Sequence, residues 1–394
     1  MTADTVPAST TEVAEPGDES ACGRPRIMIM SASIGAGHDG AADVISRRLD
    51  ALGFAIDRCD FLDLLPPRWG TRLRDGYATQ LRYVPATWGW LLRTVAGQRC
   101  AQGAAALSYG AASGRMRTAV HPATAAVVST YPLASQVLGR LRRTGQLAAP
   151  VAAVMTDPSV HPLCVAEGVD VHLAASRHAT AAVTALGGAA ATTSPIVNAA
   201  FRPSHHRGEA AAARQQFGLP PHTPLAVVVA GSWGVGDIDG TVRDIAATGT
   251  MLPVVICGHN DALRRRLAAT GHTLALGWVD DMPTLLRTAD VVVHNAGALS
   301  SLEAMASGVP VISYRCLPGH GVANAAVLDE LGLSLWPRNP RDLAGALAAA
   351  AHSELRARQH QAYLQLCAAP DAALIVAGLA GRPTLDRAST AVYA

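Results

Sequence analysis

The sequence predicts an α/β protein built from two facing doubly wound units, each a parallel sheet between helices. Three observations carry that prediction. Short, nearly uninterrupted apolar runs alternate with helical patterns in both halves, as strands buried on both faces and joined by crossover helices require. The chain has 394 residues, long for one such unit and comfortable for two. Hydrophobic residues make up 49% against 16% charged, enough for two large cores, and with aromatics at 4% it is Ala and Val that must fill them.

The elements follow in chain order. Asp4, Glu12, Glu15, Asp18 and Glu19 stand in the first twenty residues without a base or an apolar run. This pattern predicts a solvated, disordered tail over 1–24 and not a leader peptide. RIMIMSAS (26–33) is a buried-strand run, followed by a helix from about His38 to Leu52. FAIDRCD (54–60), AAVVST (125–130), PVAAVMTD (150–157) and VDVHLAAS (169–176) supply the later strands of a first unit over 25–200. A Pro-, His- and Gly-rich stretch, 198–224, reads as a linker plus one helix opening the second unit, 201–352. There LAVVVAG, LPVVICG, TLALGWV, DVVVHNAG and PVISYR are strands. In the last segment, 353–394, a helix around Leu355–Ala369 is expected to cross back onto the first unit.

Charge and cysteine usage narrow the partners and the compartment. The net charge is +2, yet residues 61–150 hold eleven Arg against Asp63 and Asp75, a local excess of +9. Such an excess points to an anionic partner. There is no lysine in the chain. The seven cysteines are odd in number and none forms a C-x-x-C pair, so neither a zinc site nor a disulfide framework is expected, and a reducing cytoplasm is the natural compartment. No uncharged apolar stretch nears the roughly 18 residues of a spanning helix, so the chain is not expected to cross a membrane.

Four motifs sit where strands end, the place at which this architecture gathers ligands. SASIGAGH (31–38) runs from strand through a Gly-rich turn into a helix whose first turn carries His38; it reads equally as a ligand-facing loop or as a tight turn with a capping His. TDPSVHP (156–162) places Asp157 and His161 after a strand, although an Asp-Pro turn alone explains the pattern. AGSWGVGD (230–237) holds more glycines than a turn needs, and its amides at a helix N-terminus suit a diphosphate. The fourth spans 294–324. Within it Ser300 and Glu303 have the spacing of a capping box, while a carboxylate there equally suits a ribose diol.

The stretch GWVDDMPTLLRTADVVVHNAGALSSLEAMASGVPVIS, followed by PGHGVANA, resembles the carboxyl-terminal half of glycosyltransferase family 28. More narrowly it resembles the branch of monogalactosyldiacylglycerol synthases and processive diacylglycerol glucosyltransferases. The likeness extends over about 25–350 and takes in SASIGAGH, TDPSVHP, AGSWGVGD, CGHN (257–260) and the aromatic RYVPATWGWL (82–91). It implies the GT-B fold of two Rossmann-like α/β/α domains, a UDP-sugar donor, inversion at the anomeric carbon, and no cofactor or metal. Carried over by position, the backbone at Val279, near Met282, meets the uracil and Glu303 the ribose. Gly297, Ser300 and the loop with Gly231, Ser232 and Gly234 hold the diphosphate. The stretch from Gly319 to Asn324 lies along the sugar. Two departures stand out: His320 and Gly321 replace the family's Gln and following acid or Gln, and Leu163 and Cys164 replace an aromatic.

The resulting expectation is a hexosyltransferase in which His38 or Asp157, the two acting as base and orienter with His161 nearby, deprotonates a lipid hydroxyl. The partners are a UDP-sugar and an anionic membrane surface, with no nucleic acid, and the location is the inner face of the cell membrane, held peripherally. The surface contact expected is 68–99, where Arg68, Arg72, Arg74, Arg82, Arg93 and Arg99 interleave with Trp69, Tyr77, Tyr83, Trp88 and Trp90. A soluble acceptor, a UDP-sugar 2-epimerase and a binding protein without catalysis remain open on sequence grounds.

Overall fold

A computed structural model of the chain describes residues 23–83, 98–295 and 297–381. The expected tail before residue 23, the aromatic stretch with Trp88, Trp90 and Arg93, and the last residues of the chain lie outside the described residues.

Two parallel sheets organise the molecule. The first runs β2-β1-β3-β4-β5-β6, with β1 Arg26–Ser31, β2 Ala55–Asp60, β3 Thr124–Ser129, β4 Val151–Val154, β5 Val171–Ala174 and β6 Ala190–Thr192. The second runs β11-β10-β7-β8-β9, with β7 Leu225–Val229, β8 Leu252–Ile256, β9 Leu274–Leu276, β10 Val291–His294 and β11 Val311–Ser313. Every ladder is parallel. The apolar runs of the sequence follow from that: Ile27 and Ile29 pack into a core on one face of the first sheet, and Met28 and Met30 into a core on the other. Leu225 and Val227 oppose Ala226 and Val228 in the same way in the second sheet. Burying one such large aliphatic side chain contributes about 1.5–3 kcal/mol.

Each sheet has one point where the chain reverses its direction of growth, between β1 and β3 in the first and between β7 and β10 in the second. Loops leaving adjacent strands at such a point part from each other and leave a crevice. In the first sheet those loops carry SASIGAGH and Thr130–Tyr131. In the second they carry AGSWGVGD and Asn295. Two crossings join the units. Residues 193–206 lead out of the first sheet, and 368–371 lead back to it. Arg48 holds both, through a contact with Asp371 at 3.1 Å and a bond to the Val197 carbonyl at 2.9 Å.

The returning segment is not the one expected. The helix Ser353–Cys367 buries Leu355, Gln359 and Tyr363 against the second unit, whereas the apolar helix Ala372–Leu379 joins the first unit's core beside Ala42 and Val128. Run together, Ser353–Leu379 is long enough for a membrane span and contains an 18-residue stretch with mean hydropathy 1.5. Pro370 and the Asp371 cap break that span in two, and Ala372, Ala373 and Val376 are buried in the fold.

Candidate functional site

His38 stands in the first turn of the helix Ala36–Ala51, whose N-cap is Gly35 with φ 82°. Its Nδ1 lies 2.6 Å from the Thr130 carbonyl oxygen, and the Thr130 hydroxyl donates back to the His38 carbonyl at 3.0 Å. A carbonyl only accepts, so Nδ1 carries the proton and Nε2 presents its lone pair. Among the described residues Nε2 has no hydrogen-bond partner. Tyr131 sets its ring edge-on to the imidazole at 5.3 Å. Burial pushes the imidazole below its ordinary pKa, and the Asp157 charge partly opposes that shift. His38 is therefore a neutral base near pH 7, fixed in one tautomer by the backbone of the neighbouring strand's loop.

Asp157 does not orient it. Among the described residues no hydrogen bond joins the two; the Asp157 carboxylate accepts instead from Asn324 Nδ2 at 2.8 Å. His161 is a local cap: its Nδ1 accepts from the Leu163 amide at 3.1 Å and starts the 3-10 turn Pro162–Cys164. The His38 imidazole is thus oriented by the Thr130 carbonyl and not, as expected, by Asp157.

On the second unit the AGSWGVGD loop is held through its carbonyls. Asn260 Nδ2 donates to the Gly234 carbonyl at 3.0 Å and Asn295 Nδ2 to that of Val235 at 2.7 Å, while the His259 amide donates to Ser232 at 2.9 Å. The amides of Ser232, Trp233, Gly236 and Asp237 make no hydrogen bond among the described residues. Glycine is required at two places: Gly234 has φ 56° and Gly236 φ 104°, and a Cβ on either would fall 2.5 Å from the Cys257 carbonyl or 2.3 Å from Asn295 Nδ2. The loop thereby offers several donors to an anion without a cation. Among the described residues no three His, Cys, Asp or Glu side chains cluster as metal ligands.

Beside that loop, Gly297 caps the helix Ala298–Ala306. Ser300 is therefore the third residue inside the helix, and the Ser300–Glu303 spacing is not a capping box. The Glu303 carboxylate has no hydrogen-bond or ionic partner among the described residues, and burial pushes its pKa up to about 8. A half-buried, unpaired carboxylate on a helix whose cap lies two residues after Asn295 is a group awaiting hydroxyl donors. Val279 and Met282 pack against the core of this unit, and Met282 opens a short helix capped by Asp281. Next to them Trp278 stacks on His259 of the CGHN segment, centroids 4.3 Å apart and planes 8° from parallel, a pair that no spacing in the sequence announces.

The helix His320–Glu330 starts at Gly319 and points its first turns at the cleft. His320 Nδ1 is buried without a hydrogen-bond partner among the described residues. Asn324, fully buried, reaches across to the first unit, donating to Asp157 and accepting from the Ser159 amide at 3.2 Å and from its hydroxyl. Its amide thus bridges the two units where the sequence placed it beside the sugar.

The family model for Glycosyl transferases group 1 matches residues 239–353, the part that carries Glu303 and the helix with Asn324. The chain is 28% identical over 216 residues to the processive diacylglycerol beta-glucosyltransferase of Bacillus subtilis strain 168, covering 53% of this chain and 56% of that protein. It spans a little over half the length of the curated relatives it matches. Its fold is that of MurG from Acinetobacter baumannii (TM-score 0.53, 16% identity, 90% of this chain and 99% of that one). It is likewise that of UGT71G1 from Medicago truncatula, solved with UDP-glucose (TM-score 0.53, 10% identity, 87% and 93%). The chain thus has the two parallel-sheet domains of the GT-B fold, and its matched segment and curated relatives make it similar to family 28-like glycosyltransferases.

Proposed function

We propose that the protein transfers a hexose from a UDP-sugar to a lipid hydroxyl at an anionic membrane surface, in one inverting displacement that uses no metal. The observation that carries the donor half is the unpaired Glu303 carboxylate on the helix whose entry residue Asn295 holds the AGSWGVGD loop, together with the free amides of that loop. A ribose diol donates to the carboxylate, and the amides with the helix N-termini take the diphosphate. The acceptor hydroxyl gives its proton to His38 Nε2 as its oxygen bonds to the anomeric carbon. The bond from that carbon to the diphosphate oxygen breaks, and UDP leaves with the electron pair. The glucosyltransferase relatives and the UDP-glucose complex support this donor and acceptor. Incubating the protein with UDP-glucose or UDP-galactose and diacylglycerol vesicles should give a hexosyl lipid by mass; release of free sugar or an epimerised donor alone would reject the reading.

Two further results are expected. Chelators should leave the rate unchanged, because loop amides and helix termini do the work a cation would do; a rate restored only by added manganese would contradict this. The protein should also float with anionic vesicles at low salt and release in high salt. On the helix Trp69–Tyr83, Trp69 and Leu73 stand exposed one turn apart beside Arg72 and Arg74. Tyr77 does not belong to that surface, since it turns inward. Substituting Trp69→Ala with Arg72→Ala should weaken flotation several-fold, each basic contact contributing on the order of 1 kcal/mol. Flotation that is unaffected by salt and by both substitutions would place the contact elsewhere.

A further inference from the structure

The turn of AGSWGVGD needs its glycines, yet nothing in the turn needs an indole at its centre. Trp233 projects from this second-unit loop into the first unit. There it packs against the core that contains Phe61 and Leu62. Its ring meets that of Tyr77 at 5.8 Å with planes 70° apart. Tyr131 belongs to the same aromatic group, 5.6 Å from Phe61 and 5.3 Å from the His38 imidazole. On the donor side, buried Val235 and Leu317 close a small apolar cluster around Tyr77 and Trp233. Leu317 is fixed in turn by its amide on the Asn295 carbonyl at 2.8 Å, and Asn295 holds the Val235 carbonyl.

We propose that Trp233 is a positioning residue that sets the diphosphate loop in register with His38 across the domain cleft. The proposal rests on the reading of this site as a nucleotide-sugar site. The loop is pinned just after the indole, where the Gly234 and Val235 carbonyls accept from Asn260 and Asn295. Whatever fixes the indole therefore fixes the free amides on both sides of it. The indole is fixed by the first unit, against the same aromatic group that flanks the base. Reaction requires the acceptor oxygen and the anomeric carbon to approach within about 3–3.5 Å, and a misplacement near 1 Å costs on the order of 100-fold in rate. The apolar tie of Trp233 with Tyr77 and the polar tie of Asn324 with Asp157 together span the cleft at two places.

The test compares the full-length protein with Trp233→Ala, Trp233→Phe, Tyr77→Ala and the double alanine variant. Without ligand, small-angle X-ray scattering should show a larger radius of gyration for Trp233→Ala and Tyr77→Ala, and near wild-type size for Trp233→Phe. Turnover should fall about 10- to 100-fold in Trp233→Ala while the dissociation constant for UDP changes less than about threefold, the pattern of an interaction felt in the transition state. The double variant should be no worse than either single one, since the two rings act through one contact. Unchanged radii, additive losses, or equal impairment of Trp233→Phe and Trp233→Ala would overturn the proposal. If wild-type protein fails to bind UDP, the nucleotide-sugar reading falls, and the ligand-free scattering comparison still decides whether Trp233 holds the cleft.

Discussion

Replacing His38 by alanine is expected to lower turnover by about 10²–10⁴-fold while leaving UDP affinity within a few-fold of wild type. The imidazole must be neutral to take the acceptor proton, so the rate falls as the pH drops through its pKa. Burial pushes that pKa below the ordinary ~6.5, so the acid limb should lie below that value. Asp157 works against the burial, and Asp157→Asn, which can still accept from Asn324, should move the limb further toward acid with a modest loss of rate. His38→Ala should remove the limb altogether. If His38→Ala turns over normally while Asp157→Ala is dead, the carboxylate is the base, and the Thr130 bond merely caps a turn.

Much of this site is legible in the sequence because it rides on strand ends. Parallel strands buried on both faces leave unbroken apolar runs, and each run that the sequence marks as a strand overlaps one, most of the strands being two to four residues shorter than the run. Ala190–Thr192 escapes notice because three small residues carry no pattern. The helix bearing His38 starts two residues before the expected His38, where the Gly35 backbone turns. Ser300 and Glu303 show the limit of spacing: a serine and an acid three apart fit a capping box or a ligand site alike. Only the position of Gly297 decides that the box is absent. What joins the two halves has no period at all. Asn324 and Asp157 lie 167 residues apart, and Trp233 meets Tyr77 through loops and helices of different units. The sequence does not mark which terminal helix crosses back: Ser353–Cys367 buries Leu355, Gln359 and Tyr363 in the second unit, while Ala372–Leu379 buries Ala372, Ala373, Val376 and Ala377 in the first.

Glu303 is expected to couple donor binding to proton release. In the unfolded chain its carboxyl ionises near the usual glutamate value, whereas in the fold burial raises it to about 8. A group raised in this way stabilises the fold fully below its unfolded pKa, and that contribution is lost as the pH climbs from about 4.5 through about 8. Glu303→Gln should therefore make the ligand-free protein more stable at pH 8 and flatten this part of its stability profile. A ribose diol donates two hydrogen bonds, which favour the ionised carboxylate. UDP binding near pH 7 should then expel close to one proton, measured by titration calorimetry in buffers of different ionisation enthalpy. Glu303→Ala should abolish that release and weaken UDP by about 10- to 100-fold, since hydrogen bonds to a charged group contribute about 1.5–3 kcal/mol. The 2′-deoxy form of UDP separates the causes: it should bind wild-type protein more weakly and Glu303→Ala no more weakly than UDP itself does. Equal discrimination by both proteins, or proton release that survives the substitution, would remove the ribose from Glu303.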